Sequence, residues 1–251
     1  MAGAPQGTSD SGRQLWFNPP DGQEGRRRAL TRERVVAEAL TVIGEGGASA
    51  LSMRNLAARL GVVPAALYRH VRGKEQLCDL VVDGVLAEVD CQGDRGTGWT
   101  GQVKALARRL RVVLERHPGI AALLKTRDPL GPHSLALAEA LLAALAASGL
   151  PRQEVAQAFW LVYDYTVGFA LSDRTTVNEQ RVRDTATRSK LHAFLRELPS
   201  ARFPILAALG EQVWADNRGE RFEAGLDTIL AGLQARADAH PVKVVTDTSA
   251  G

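Results

Sequence analysis

The stretch that decides the fold is residues 52–71, SMRNLAARLGVVPAALYRHV. Ser52 is a good N-cap for a short helix with Leu56 and Leu60 on one side, and Gly61 suits the left-handed residue that ends it. Pro64 fits the first turn of a following helix, because the amide it lacks would be unsatisfied there anyway. Leu67 and Val71 give that helix an inner face, and small Ala57 lets the two helices approach. Two short helices joined by a tight glycine turn make a helix-turn-helix, whose second helix can enter a DNA major groove.

Upstream, Val35, Val36, Ala39, Leu40 and Ile43 recur at helical spacing behind the N-cap candidate Thr31, and the pattern stops at Gly46 and Gly47. Downstream, a fourth helix is expected from about Lys74 to Val89, with Leu77, Leu80, Val81, Val85 and Leu86 as its stripe. Further helical patterns occupy about 100–117, 119–126, 132–148, 152–172, 180–197 and 219–238, separated by breaks such as Pro118-Gly119 and Pro129-Leu130-Gly131-Pro132. No alternating strand pattern persists. The fold class is therefore all-α, a three-helix DNA-binding unit followed by a larger helical domain. The expected boundaries are an arm over 1–29, the helix-turn-helix unit over 30–75, the larger domain over 76–240 and an unstructured tail over 241–251.

Charge supports the same division. The 251 residues carry 31 Lys and Arg against 28 Asp and Glu, a net of only +3. Residues 26–75 hold ten of the basic side chains and four of the acidic ones, a net of +6, which leaves −3 for the remaining 201. Positive charge gathered on one unit is the electrostatic footprint of a DNA-binding protein. Arg26, Arg27 and Arg28 suit either a minor-groove arm or a solvated cluster, and Trp16 and Phe17 have no assigned role.

Other function classes find little support. Cys78 and Cys91 are the only cysteines, too few for a disulfide framework and consistent with a reducing cytoplasm. No run approaches the roughly 20 apolar residues of a membrane span, and no signal peptide is visible. Gly96-Thr97-Gly98-Trp99-Thr100-Gly101 satisfies GxGxxG, but no strand feeds the turn, so it is set aside as a nucleotide site. The five His are scattered, no catalytic constellation is present, and neither a metal nor another cofactor is expected.

The block LSMRNLAARLGVVPAALYRHVRGKEQLCDLVVDGVL, residues 51–86, closely resembles the DNA-binding domain of the tetracycline-repressor (TetR) family. Within 99–238, RHPG, TRDPLGP, YTVGFAL and the last amphipathic helix resemble its effector-binding and dimerisation half. The resemblance implies a homodimeric, ligand-responsive regulator, a repressor by expectation, with recognition helices in successive major grooves roughly 34–36 Å apart on a palindromic operator. It implies Ser52 and Arg54 at the sugar-phosphate backbone, within reach of a base edge. It puts Pro64 and Ala65 at base methyls or edges, Tyr68 and His70 at phosphates, and Lys74 near the backbone. Arg69 replaces an aromatic of the tetracycline repressor and is suited to guanine, which implies a different operator.

For the effector pocket the resemblance offers Leu106, Leu110, Leu124, Arg127, His133, Trp160 and Tyr163. Asp164, a carboxylate inside an apolar helix, is either a polar anchor of that pocket or an internally bonded or interface residue. Leu123 and Ser172 stand where the tetracycline repressor uses a His and a Glu to hold magnesium through its drug, so a magnesium-chelated tetracycline is not the expected effector. Thr126 and Arg127 do match the family's TR. Helix 152–172 reads as apolar nearly all round, hence buried, and its rings suit an apolar or polycyclic ligand. Phe222, Leu226, Ile229, Leu230 and Leu233 suit a four-helix dimer bundle or packing within the chain. The rival reading is an architectural DNA-binding protein without an effector.

Overall fold

The computed structural model describes residues 30–92, 96–117, 119–127, 130–172, 185–215 and 217–239. Trp16, Phe17, Arg26, Arg27, Arg28 and the tail 241–251 lie outside the described residues. Among those described, every regular element is a helix: α1 (Arg32–Ala50), α2 (Met53–Leu60), α3 (Pro64–Leu67), α4 (Lys74–Leu86), α5 (Gly98–Arg116), α6 (Ile120–Thr126), α7 (Pro132–Ala146), α8 (Arg152–Ser172), α9 (Thr185–Arg196), α10 (Pro204–Val213) and α11 (Arg218–Ala239).

The caps anticipated from sequence set the first elements. The Thr31 hydroxyl accepts from the Arg34 amide and starts α1; Ser52 accepts from the Asn55 amide and starts α2. Gly61 ends α2 in the left-handed region at φ 68°, donating to the Ala57 and Ala58 carbonyls. Gly47 interrupts α1 at φ 73°, and a further turn follows to Ala50. These breaks fold three helices over one core of Ile43, Leu56, Leu67, Val71 and Leu77, each at most 2% exposed. Burying each such side chain contributes roughly 1.5–3 kcal/mol, before the entropy cost of ordering it.

Helix α4 packs on α1 and also on α5, α6 and α7, so it is shared by both halves. Helices α5, α7 and α8 pack on one another, with α6 and α11 against α8. Gly119, the N-cap of α6 at φ +88°, is a tight joint between the halves: a Cβ there would stand 2.9 Å from Ile43 Cγ2 and 3.2 Å from the Ile43 carbonyl of α1. A side chain would push the two apart.

Two sequence expectations are corrected. Helix α10 was not anticipated; Ile205, Leu209 and Val213 recur every four residues on one face, but that face is at least half exposed and does not meet the core. Helix α8 is not buried all round, since Trp160 is 54% and Leu161 48% exposed. The GxGxxG residues fall at the start of α5, with Gly98 as its first residue, and no strand leads into them among the described residues. No described helix is long and apolar enough to cross a membrane.

Candidate nucleic-acid interface and effector pocket

On the helix-turn-helix, Leu67 and Val71 face inward and the polar residues face out. Ser52, Arg54, Pro64, Ala65, Tyr68 and Arg69 are all exposed, and His70 is half-buried. Tyr68 ends α3 with its ring 55% exposed, unusual for a large aromatic without a partner surface. The regular part of the recognition element is a single turn, Pro64–Leu67, prolonged by the Arg69 amide bonding to the Ala66 carbonyl and the His70 amide to that of Leu67.

Structure also sorts the basic charges. Arg59 is turned away from these outward residues: Nε meets Glu38 at 2.5 Å and the two Nη atoms hold Glu45 at 2.6 and 3.2 Å. The Arg59 guanidinium holds Glu45 below the ordinary glutamate value. Lys74 is half-buried and donates from Nζ to the Ala48 carbonyl at 3.0 Å, tying α4 to the end of α1. Part of the +6 read from composition is therefore spent inside the unit, while Arg54 and Arg69 remain on the outer surface.

The larger domain contains a cavity of about 300 Å³, at the lower end of the range for small-molecule sites. Its wall is mainly apolar and aromatic, with Leu86 of α4, Leu124 of α6, Leu137 of α7, and Phe159, Trp160 and Tyr163 of α8. The three rings form one group: Phe159 and Tyr163 are stacked at 5.8 Å, and Trp160 stands edge-on to Tyr163 at 5.9 Å. The other rings of α8 turn elsewhere. Tyr165 and Phe169 pack on Phe222 of α11, and Tyr165 Oη donates to the Phe222 carbonyl at 3.0 Å.

Of the pocket candidates, Leu124, Arg127, Trp160, Tyr163 and Asp164 are brought together in this wall. Leu106 and Leu110 are not; they are 2% and 1% exposed in the core of α5, outside the lining. Leu123 is likewise buried outside it. Asp164 is an exposed carboxylate paired with Lys125 at 2.7 Å rather than an isolated buried one. His133 is displaced from the lining because Asp83 of α4 holds it: the His133 and Ser134 amides donate to Asp83 Oδ1 at 3.1 and 2.9 Å, and the His133 ring lies 2.8 Å from Oδ2. Buried Asp83 thus caps α7 from another helix.

Arg127, in the wall, also grips α4. Its Nε donates to Asp79 Oδ1 at 2.7 Å, its Nη1 to the Glu75 carboxylate, and its Nη2 to the Glu75 carbonyl at 3.0 Å. This keeps the Glu75 carboxyl below the usual glutamate range and raises Arg127. Sequence reading missed Glu75, Asp79 and Asp83 as a set. Their spacing of four, which lines carboxylates along one helix face, was the available signal. No group of three or more His, Cys, Asp or Glu among the described residues is arranged to hold a metal.

Comparison with known proteins agrees with both halves. Residues 35–81 match the family model described as bacterial regulatory proteins, tetR family, and residues 92–237 match that of the tetracyclin repressor-like C-terminal domain. An HTH-type transcriptional regulator of Saccharopolyspora erythraea is 34% identical over 223 residues, 89% of this chain and 92% of its own. The HTH-type transcriptional repressor DrrR1 of Streptomyces coeruleorubidus is 31% identical over 225 residues, 88% of this chain and 83% of its own. The crystal structure of ActR from Streptomyces coelicolor in complex with actinorhodin is 34% identical, covers 82% of this chain and 96% of its own, and superposes with a TM-score of 0.74. An exposed helix-turn-helix joined through α4 to a helical domain with a cavity, matched by family models over both parts, means that the chain belongs to the TetR family of bacterial transcriptional regulators.

Proposed function

We propose that this protein is a homodimeric repressor that binds a palindromic operator and is released by a small-molecule effector. The observation that carries this reading is one helix, α4, which bonds to the DNA-binding unit through Lys74 and to the cavity-bearing domain through Glu75, Asp79 and Asp83. Residues 30–75 serve as the DNA-binding domain and 76–240 as the effector and dimerisation domain. Ser52, Arg54, Pro64, Ala65, Tyr68, Arg69 and His70 face the operator, and Lys74 anchors α4 beside them. Leu124, Arg127, Trp160, Tyr163 and Asp164 face the effector.

An apolar or polycyclic ligand suits a wall of leucines and three grouped rings, and the related ActR binds actinorhodin, as its complex states. Dimerisation through α8 and α11 is supported by exposed Leu161 and by the open space beside Gly232, while Gly225 faces Tyr165 of its own chain. The regulator acts in the cytoplasm and is not an enzyme. The rival without an effector draws no support from a cavity lined by rings. Gel shift on the DNA beside the protein's own gene tests the docking: Tyr68→Ala and Arg69→Ala should each weaken the shift, and unchanged binding by both overturns it.

A further inference from the structure

The ionisable groups in the cavity wall are Lys125, Arg127 and Asp164, and Lys125 and Asp164 pair with each other. Arg127 is the one charged group of the wall whose partners, Glu75 and Asp79, lie outside it. Its counter-ions are outside the wall, on α4, and one of them is weakly held: the Glu75 side chain is 80% exposed, whereas Arg127 is only 18% exposed. An ion pair with one partner in water is worth little and exchanges readily. A carboxylate delivered on an aromatic body would meet the same guanidinium from the apolar wall, where a two-pronged charge-assisted bond is stronger than one to a carboxylate standing in water.

Resting on the effector reading above, we infer that the cavity selects an aromatic acid, whose anionic group competes with Glu75 and Asp79 for Arg127. Selection and signal are then one event. Each bond the ligand takes from Arg127 is lost in the first two turns of α4, from Glu75 and Asp79, one and five residues from Lys74 and its hold on the Ala48 carbonyl at the end of α1. A neutral aromatic of the same shape fills the cavity without reaching α4, so it binds without weakening operator affinity. Asp83, whose bonds go to α7, keeps its partners in both states.

The test is calorimetric titration of the full chain with 2-naphthoate and with its uncharged counterpart 2-naphthamide. The acid should bind about tenfold more tightly, as for a hydrogen-bonded charge pair. Arg127→Met should erase that preference while still binding the amide, and Arg127→Lys, which keeps charge without the fork, should retain part of it. The double variant Glu75→Gln with Asp79→Asn removes the internal competitors and should bind the acid several-fold more tightly than the wild type. Equal affinity for acid and amide in the wild type, or a preference that survives Arg127→Met, overturns the proposal and leaves the pocket standing. Acid affinity unchanged in the double variant overturns the competition. If neither compound binds, the pocket reading falls together with the proposal.

Discussion

The Asp83 carboxylate accepts from the Ser134 amide at 2.9 Å, so the cap of α7 is supplied by a residue fifty-one positions earlier, on the helix that leads to the DNA-binding unit. The same oxygen accepts from the His133 amide and the Ser134 hydroxyl. Asp83→Ala strands two backbone donors in a part-buried site, which should destabilise the protein by about 1–3 kcal/mol. Urea denaturation measures it. Asp83→Asn, which keeps an acceptor, should recover part of the loss.

Gly119→Ala should lower stability by about 1–3 kcal/mol, because φ +88° is costly for any residue with a Cβ and the added carbon meets the Ile43 side chain and carbonyl. Gly232→Ala, on an exposed stretch of α11 with open space around it, serves as the comparison in the isolated chain. Thermal unfolding of the two variants should separate clearly.

Salt dependence of operator binding distinguishes outward cations from internally paired ones. Arg69→Ala should reduce the slope of log affinity against log salt by about 1 if the guanidinium reaches a phosphate, and should relax sequence preference if it reaches a base. Arg59→Ala should leave the slope unchanged, since Glu38 and Glu45 already occupy that guanidinium. Fluorescence anisotropy across a salt series reads both.

Acid should loosen the contacts made by Glu75 and Glu223. Arg127 and Arg108 hold these carboxyls below their ordinary value of 4.5. A depressed folded value means that the stabilisation is complete above 4.5 and is lost as pH falls through the folded values. Melting midpoints should therefore begin to drop as pH falls below about 4.5, and Glu223→Gln should make that drop shallower.

Local features were legible and remote ones were not. Thr31, Ser52, Gly61 and Pro64 act within three or four residues of themselves, so their roles as caps and breaks could be read directly. The bond between Arg127 and Glu75 spans 52 positions, and nothing in local periodicity reports it. Leu106 and Leu110 show the opposite failure: their helical spacing correctly marks an inner face, yet an inner face does not say whether it meets a cavity or another helix. The rings of α8 divide for the same reason, Phe159, Trp160 and Tyr163 to the cavity and Tyr165 and Phe169 to α11.

Lys74 and Glu75 are neighbours that reach in different directions, one to the carbonyl of Ala48 and one to Arg127, while Asp83 holds the far part of the same helix. For the proposed release by an effector, α4 would serve as a lever with its fulcrum near Asp83 and both load and effort at the opposite end. Nine residues of helix make an arm of about 14 Å, so a tilt of about 10° carries Lys74 about 2 Å. In a two-fold dimer that travel is repeated at the second subunit, and a rigid operator has no means of following both.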